Sequence, residues 1–114
     1  MSVILSLRGD RAFQRLRRGR AGHARLLSLR WRPSSGGVHV GIVVSKKVGK
    51  AVTRNRVRRR LKEGLKAILL KAEERRGDAV DLELVVIARP EAAEADYWQL
   101  KGSLEQALRK GQAL

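Results

Sequence analysis

The chain has 114 residues, 43% of them hydrophobic but only 4% aromatic, and its 26 Lys and Arg outweigh 11 Asp and Glu to give a net charge of +15; it has no Cys. That length suits a single domain, residues 1–114, with one modest core, and the missing Cys excludes a disulfide framework and a thiolate zinc site. No apolar run approaches the ~18 residues of a membrane helix, and "MSVILSLRGDRAF" has too short an apolar run for a secretory signal, so a soluble, cytoplasmic protein with no membrane partner is expected.

In chain order, "GDRAFQRLRRG" reads as a short helix, with Asp10 placed to cap its start and Gly19 to end it. Phe13 and Leu16 share one face at i, i+3. "HARLLSLRWR" then alternates: Leu27, Leu29 and Trp31 on one side, and Leu26, Ser28, Arg30 and Arg32 on the other, a strand with one apolar and one basic face. "PSSGG" is a turn, and "VHVGIVVS" is a second strand with Val38, Val40, Ile42 and Val44 on one side. A long helix follows, roughly Ala51 to Ala72. Its apolar positions Val57, Leu61, Leu65, Ile68, Leu69 and Ala72 fall within about 120° of arc and form one core-facing stripe. Arg56, Arg59, Arg60 and Lys66 take the opposite side, and Arg58 and Lys62 flank the stripe. "EERRGD" ends the helix, and "DLELVVIARP" is a third strand closed by Pro90. "DYWQLKGSLEQALRK" is the last helix, with Asp96 and Gln99 spaced as a capping box and Tyr97, Leu100, Leu104, Ala107 and Leu108 as its buried stripe. One sheet with helices, an α+β domain, is the expected architecture.

The charge is unevenly spread. Residues 1–62 hold 18 cations and one acid, a charge of +17, whereas residues 63–114 hold 8 cations and 10 acids, a charge of −2. From Arg54 to Lys62, six of nine residues are cationic. Such density implies a polyanionic partner. Arg supplies a planar fork that grips phosphate through two hydrogen bonds, and each phosphate neutralised releases counterions. A lipid surface fits less well, because the long helix needs its apolar stripe for the sheet and has no Trp or Phe to insert. Strands on both sides of the basic helix favour a reader of RNA shape over a DNA-groove helix. A self-contained nuclease would have to draw on His23, His39, Asp78, Asp81 and Glu83; these residues show no metal-ligand spacing, and no Gly-rich phosphate loop or Ser/His/Asp set accompanies them. The residues therefore describe a binder, a reading that leaves room for a catalyst located elsewhere.

"VGIVVSKKVGKAVTRNRVRRRLKE", Val40 to Glu63, resembles the signature of the bacterial ribonuclease P protein subunit in Ser45, Lys46, Lys47, Gly49, Ala51, Arg54, Asn55, Arg56, Arg58, Arg59 and Lys62. "DRAFQRLRRGR" and "DLELVVIARP" resemble that family's first helix and late strand. The resemblance implies a small two-layer α+β sandwich of the ribosomal S5 domain 2 type, with a mixed sheet and a left-handed crossover around the basic helix. It implies a subunit of a ribonucleoprotein endonuclease that removes the 5′ leader of precursor tRNA, with one protein bound to one catalytic RNA. No catalytic residue is expected on the protein, and magnesium is expected mainly on the RNA. Arg54, Asn55, Arg56, Arg58, Arg59 and Lys62 are the expected contacts to the catalytic RNA, and Phe13, Arg17, Arg30, Lys46, Lys50 and Arg89 the expected leader cleft. Arg17, Leu27 and Arg30 stand where some members carry Phe or Tyr, so the cleft is expected to lean on charge and guanidinium stacking. The competing reading, from a different class, is a structural RNA-binding protein of the ribosome or its assembly, a fold relative that only an effect on leader removal separates.

Overall fold

A computed structural model describes residues 4–7 and 10–114, with Asp10 by its backbone alone. The elements in order are β1 (Ile4–Ser6), α1 (Asp10–Leu16), β2 (Arg20–His23), β3 (Leu27–Pro33), β4 (Val38–Val43), α2 (Ala51–Arg76), β5 (Leu82–Ala88), a 3-10 turn (Pro90–Glu94) and α3 (Tyr97–Lys110). They build one mixed sheet in the order β1-β4-β5-β3-β2. Strand β4 runs parallel to β1 and β5, and β3 runs antiparallel to β5 and β2. The parallel step from β4 to β5 is made through α2.

Strand β5 is central and is buried on both faces except at Ile87, and its run "LELVVIA" is apolar except for Glu83. Leu82, Leu84, Val86 and Ala88 join Leu27, Leu29, Trp31 and Val38 beneath Val57, Leu61, Leu65, Ile68, Leu69 and Ala72 of α2 and Leu100, Leu104, Ala107 and Leu108 of α3. This sheet-and-helix sandwich is the main core. Helix α1 lies on the other face, where Ala12 and Leu16 are buried and Phe13 rests over Gly41. An ion pair holds it there: Arg15 Nη2 donates to both carboxylate oxygens of Glu83, at 3.1 and 3.3 Å. Glu83 is only 9% exposed, so losing Arg15 would leave a nearly buried charge without its counterion.

Two close approaches set the geometry. Gly22 of β2 passes so near the end of α3 that a Cβ there would run into the Ala107 carbonyl. The Trp31 indole N–H donates to the Gly111 carbonyl at 2.7 Å, tying β3 to the same helix end. Helix α2 ends where Gly77 takes φ 77° and returns its N–H to the Glu73 carbonyl, a left-handed cap that favours glycine. The Asp96–Gln99 capping box that starts α3 forms in both directions.

Several expectations change. Strands β1 and β2 are additional elements, each only three or four residues long, too short for alternation to stand out. His23 belongs to β2, and Ala24–Leu26 turn the chain before β3. Leu26 is therefore not on the polar face of a strand but buried at 2% exposure. Helix α1 stops at Leu16, short of Gly19, and the capping role expected of the Asp10 side chain lies outside the described residues. Helix α2 runs four residues past Ala72. Tyr97 is only half-buried, and Ser103 takes its place in the buried stripe of α3.

Replacing Gly22 by Ala forces the β2 backbone away from α3, a strain of roughly 1–3 kcal/mol. Urea unfolding of G22A is expected to lose stability by that amount with an unchanged slope, whereas an unchanged midpoint would contradict the close packing of β2 on α3.

Candidate nucleic-acid interface

Helix α2 meets the sheet and α3 with one stripe and presents its cations elsewhere. No acid lies in its first turn, and its N-cap, Lys50, gives no side-chain hydrogen bond. Cations at the positive end of a helix dipole are unfavourable, so this end gains from an anion laid against it. The six expected contacts do not all behave alike. Arg59 and Lys62 are exposed, as is Lys66 beyond them. Asn55 is exposed too, and its Oδ1 accepts a hydrogen bond from Arg58 Nη1 at 3.0 Å. The uncharged member of the motif thus aims a guanidinium. Arg58 and Lys62 also line a small cavity of about 170 Å³ with Ile4, Ser6, Val40, Ile42 and Leu65, at the sheet edge formed by β1.

Arg56 and Arg60 turn the other way and do not join Arg59 and Lys66 on the outer side. Arg56 Nη2 donates to the Ala93 carbonyl at 3.2 Å, and Arg60 Nη1 to the Ala95 carbonyl at 2.9 Å. The two fasten α2 to the segment that leads into α3. Arg54 is half-buried, and its Nε, like that of Arg56, is shielded from solvent without a hydrogen-bond partner. These side chains show why position in the cationic run does not by itself assign a role.

The second surface is the sheet face that α1 leaves open. Residues on that face line up in cross-strand rows. Gly41 pairs with Val85, Val85 with Arg30 and Arg30 with Ala21; Val43 pairs with Ile87, Ile87 with Ser28 and Ser28 with His23. Helix α1 covers the first row, and the second remains accessible. Val43 is 39% and Ile87 42% exposed, beside Phe13 at 36%, which gives an apolar floor. A Cβ at Gly41 would lie 2.9 Å from Phe13 Cζ, so the strand's missing side chain makes the seat for that ring. Arg30 Nη1 donates to the Arg17 carbonyl at 3.0 Å, which joins β3 to the end of α1 and leaves both side chains at the surface. Lys46 lies three residues beyond the end of β4 and Arg89 directly after β5; these parallel strands end side by side, so both cations lie beyond the same end of the open row, whereas Lys50 stands apart from them in sequence as the N-cap of α2. All are exposed.

Leu27 does not belong to this surface. It is 0% exposed in the main core, on the face of β3 opposite Arg30, so no aromatic replacement there would reach a ligand on the open face. Val43, Ile87 and Gly41 are the members that sequence reasoning missed. The signals were present: a glycine in mid-strand marks close approach, and the apolar residues on both sides of β4 and β5 exceed what one core face needs.

The carboxylates weighed for hydrolysis have structural partners. Asp78 pairs with Arg76 at 3.3 Å, Asp81 accepts the Gly37 N–H at 2.7 Å, and Glu83 holds Arg15. Among the described residues no three His, Cys, Asp or Glu side chains come together to hold a metal ion, and no helix is long and apolar enough to cross a membrane.

Comparison with known proteins places the chain in a family. The family model described as Ribonuclease P matches residues 1–112. Proteins named ribonuclease P protein component from Thermus thermophilus and Thermus scotoductus are 52% and 53% identical over 107 residues, 94% of this chain and 60% of each relative. The chain thus spans about three fifths of the length of these relatives. Among solved structures, a mutant Staphylococcus aureus RNase P protein with defective mRNA degradation activity superposes with a TM-score of 0.76 at 26% identity, covering 94% of this chain and 87% of that one. The Thermotoga maritima RNase P protein gives 0.68 at 24% identity, over 88% and 91%, a likeness of fold. The family model spans nearly the whole chain and the fold superposes on solved members, and the chain belongs to the ribonuclease P protein family.

Proposed function

We propose that this chain is the protein subunit of a ribonucleoprotein endoribonuclease that removes the 5′ leader from precursor tRNA, working in the cytoplasm as one protein on one catalytic RNA. The observation that carries this reading is the separation of two cationic surfaces on one small domain: the outer side of α2, and the open sheet row with Lys46 and Arg89 beyond its end. Two surfaces allow one RNA to be held while a second strand is positioned.

In this reading Arg58, Arg59 and Lys62 meet phosphates of the catalytic RNA, with Asn55 orienting Arg58. Arg54 lies at the helix entry. Arg56 contributes charge while holding the Ala93 carbonyl. The 5′ leader lies over Val43 and Ile87, with Phe13 stacked on a base and Arg17, Arg30 and the cations beyond the row's end on its backbone. The protein's part is binding and positioning, worth rate because a correctly held strand needs no further ordering. Hydrolysis of a phosphodiester needs an activated water and a counter-charge for the developing negative charge. Held on the catalytic RNA, magnesium would supply both. The donor sets here do not suit it, since Asp78, Asp81 and Glu83 are bonded elsewhere, so the ion is assigned to the RNA.

Reconstitution tests the assignment. Mixed with a bacterial ribonuclease P RNA at low magnesium and physiological salt, the protein is expected to stimulate leader release strongly, while protein alone releases none. Tight RNA binding with no stimulation, across several such RNAs, would support the ribosomal or assembly-factor reading instead. Metal-dependent cleavage by protein alone, lost in Asp78→Asn or Asp81→Asn, would support a protein-only nuclease.

Two variants separate the surfaces. Arg59→Ala is expected to lower the salt slope of catalytic-RNA binding by about 0.7–0.9, one phosphate contact. Phe13→Ala is expected to cost roughly 1–3 kcal/mol of preference for precursor over mature tRNA, the worth of one base stack. Equal loss of affinity for both tRNAs in the second variant would mean that Phe13 acts only by packing on Gly41.

A further inference from the structure

A third surface lies on the helix layer, away from the open sheet face. Between α2 and α3 runs a groove of about 710 Å³. Its floor is apolar, formed by Ala67, Ile68, Ala72 and Leu108, and its sides carry Lys71, Arg75, Arg76, Lys101 and Arg109. Glu105 is the one acid in its lining, and it is bound to Lys101 at 3.9 Å. Arg76 is matched by Asp78. Basic residues in the last turns of α2 and α3 also complement the helix dipoles. That effect falls off within one turn and does not account for Lys71, which lies further back, or for the convergence of two helices' cations on a single trough.

An aromatic lies about one helical turn before Lys101, on the same edge of α3. Trp98 is 70% exposed, unusual for a ring of its size. It is nevertheless held in place. Tyr97 abuts it edge-on, with ring centroids 5.0 Å apart at 78°. Lys101 Nζ lies 5.5 Å from the ring centroid, and the same lysine lines the groove. The capping box fixes the helix turn that bears the ring, and Arg60, through the Ala95 carbonyl, fastens that turn to α2. Glu94 and Asp96 precede the ring, and Asp96 is committed to the cap. Along α3 the order is Trp98, Lys101, Glu105, Arg109, about 16 Å of helix edge at 1.5 Å per residue.

A cationic trough that follows a backbone, with an aromatic on which a base can stack, is how single-stranded nucleic acid is held without sequence preference. We propose that the α2–α3 groove is a second single-strand RNA site, in which Trp98 stacks on a base and Lys71, Arg75 and Arg109 take successive phosphates. The site is separate from the leader surface and does not require it. The cations alone would attract an acidic protein segment or an anionic lipid as readily as RNA, so the polyanion class is decided by the ring: a stacked base uses the exposed face of Trp98, and a polyglutamate chain does not.

Tryptophan emission of the full chain, titrated with a ten-residue oligouridylate, tests this. The wild type is expected to be quenched, and Trp98→Phe is expected to lose the quenching, since the remaining Trp31 is buried at 8% exposure. The triple variant K71A/R75A/R109A, three exposed positions, is expected to lower the salt slope by about 2 and weaken the quenching midpoint roughly a hundredfold at about 0.1 M salt. Circular dichroism spectra of both variants should match the wild type below the melt. Wild-type emission unaffected by the oligonucleotide, or quenching that survives either variant, would overturn the proposal. So would polyglutamate that quenches with the same midpoint as the RNA.

Discussion

The structure depends on burial of one stripe of α2 while the rest of that helix carries a concentration of like charge. Six pairs of cations stand three or four residues apart between Arg54 and Lys66, each costing about 0.2–0.5 kcal/mol, or about 1–3 kcal/mol together. Val57, Leu61, Leu65, Ile68 and Leu69 are all at least nine-tenths buried, at about 1.5–3 kcal/mol each. Packing exceeds repulsion several-fold, so the helix holds although Glu63, 4.0 Å from Lys66, is the one acid within the cationic stretch from Arg54 to Lys66. The repulsion that remains is what a polyanion relieves, which connects the fold's energetics to its partner.

The same helix also explains the arrangement around it. Because its stripe fills one sheet face together with α3, the opposite face is left with only the seven-residue α1 to cover it. That helix is held by Arg15 on Glu83 and by Phe13 over Gly41, and it is too short to shield the row of Val43, Ile87 and Ser28. An open apolar row with cations beyond its end follows from this shortage of cover. Three acids serve the fold: Asp96 caps α3, Asp81 holds the turn between β3 and β4, and Glu83 pins α1.

Much of this was legible in the sequence, for reasons that can be named. The periodicity of α2 and α3 is long and strict, so their buried stripes could be read, and Asp96 with Gln99 marked the start of α3. The cation run pointed to nucleic acid, and the order of Ser45 to Lys62 pointed to the family. What could not be read depends on tertiary placement. Strands β1 and β2 are too short to carry a pattern. Arg56 and Arg60 are indistinguishable in sequence from Arg59, yet they reach backbone carbonyls that only the fold brings near. Leu26 and Leu27 look alike as neighbours in a strand, but a tight turn buries the first and the core claims the second. The open row on the sheet needed the register of β4 against β5 before Val43 and Ile87 could be seen side by side.

The absence of Cys allows the division of labour between the two surfaces to be mapped directly. A chemical nuclease tethered to a single introduced thiol, at Val52→Cys on the exposed side of α2 or at Ile87→Cys on the open sheet row, would cut whichever strand lies beside it in the complex with ribonuclease P RNA and precursor tRNA. The account expects cuts in the catalytic RNA from position 52 and cuts in the 5′ leader from position 87. Cuts in the same strand from both positions, or leader cuts from position 52 alone, would contradict it.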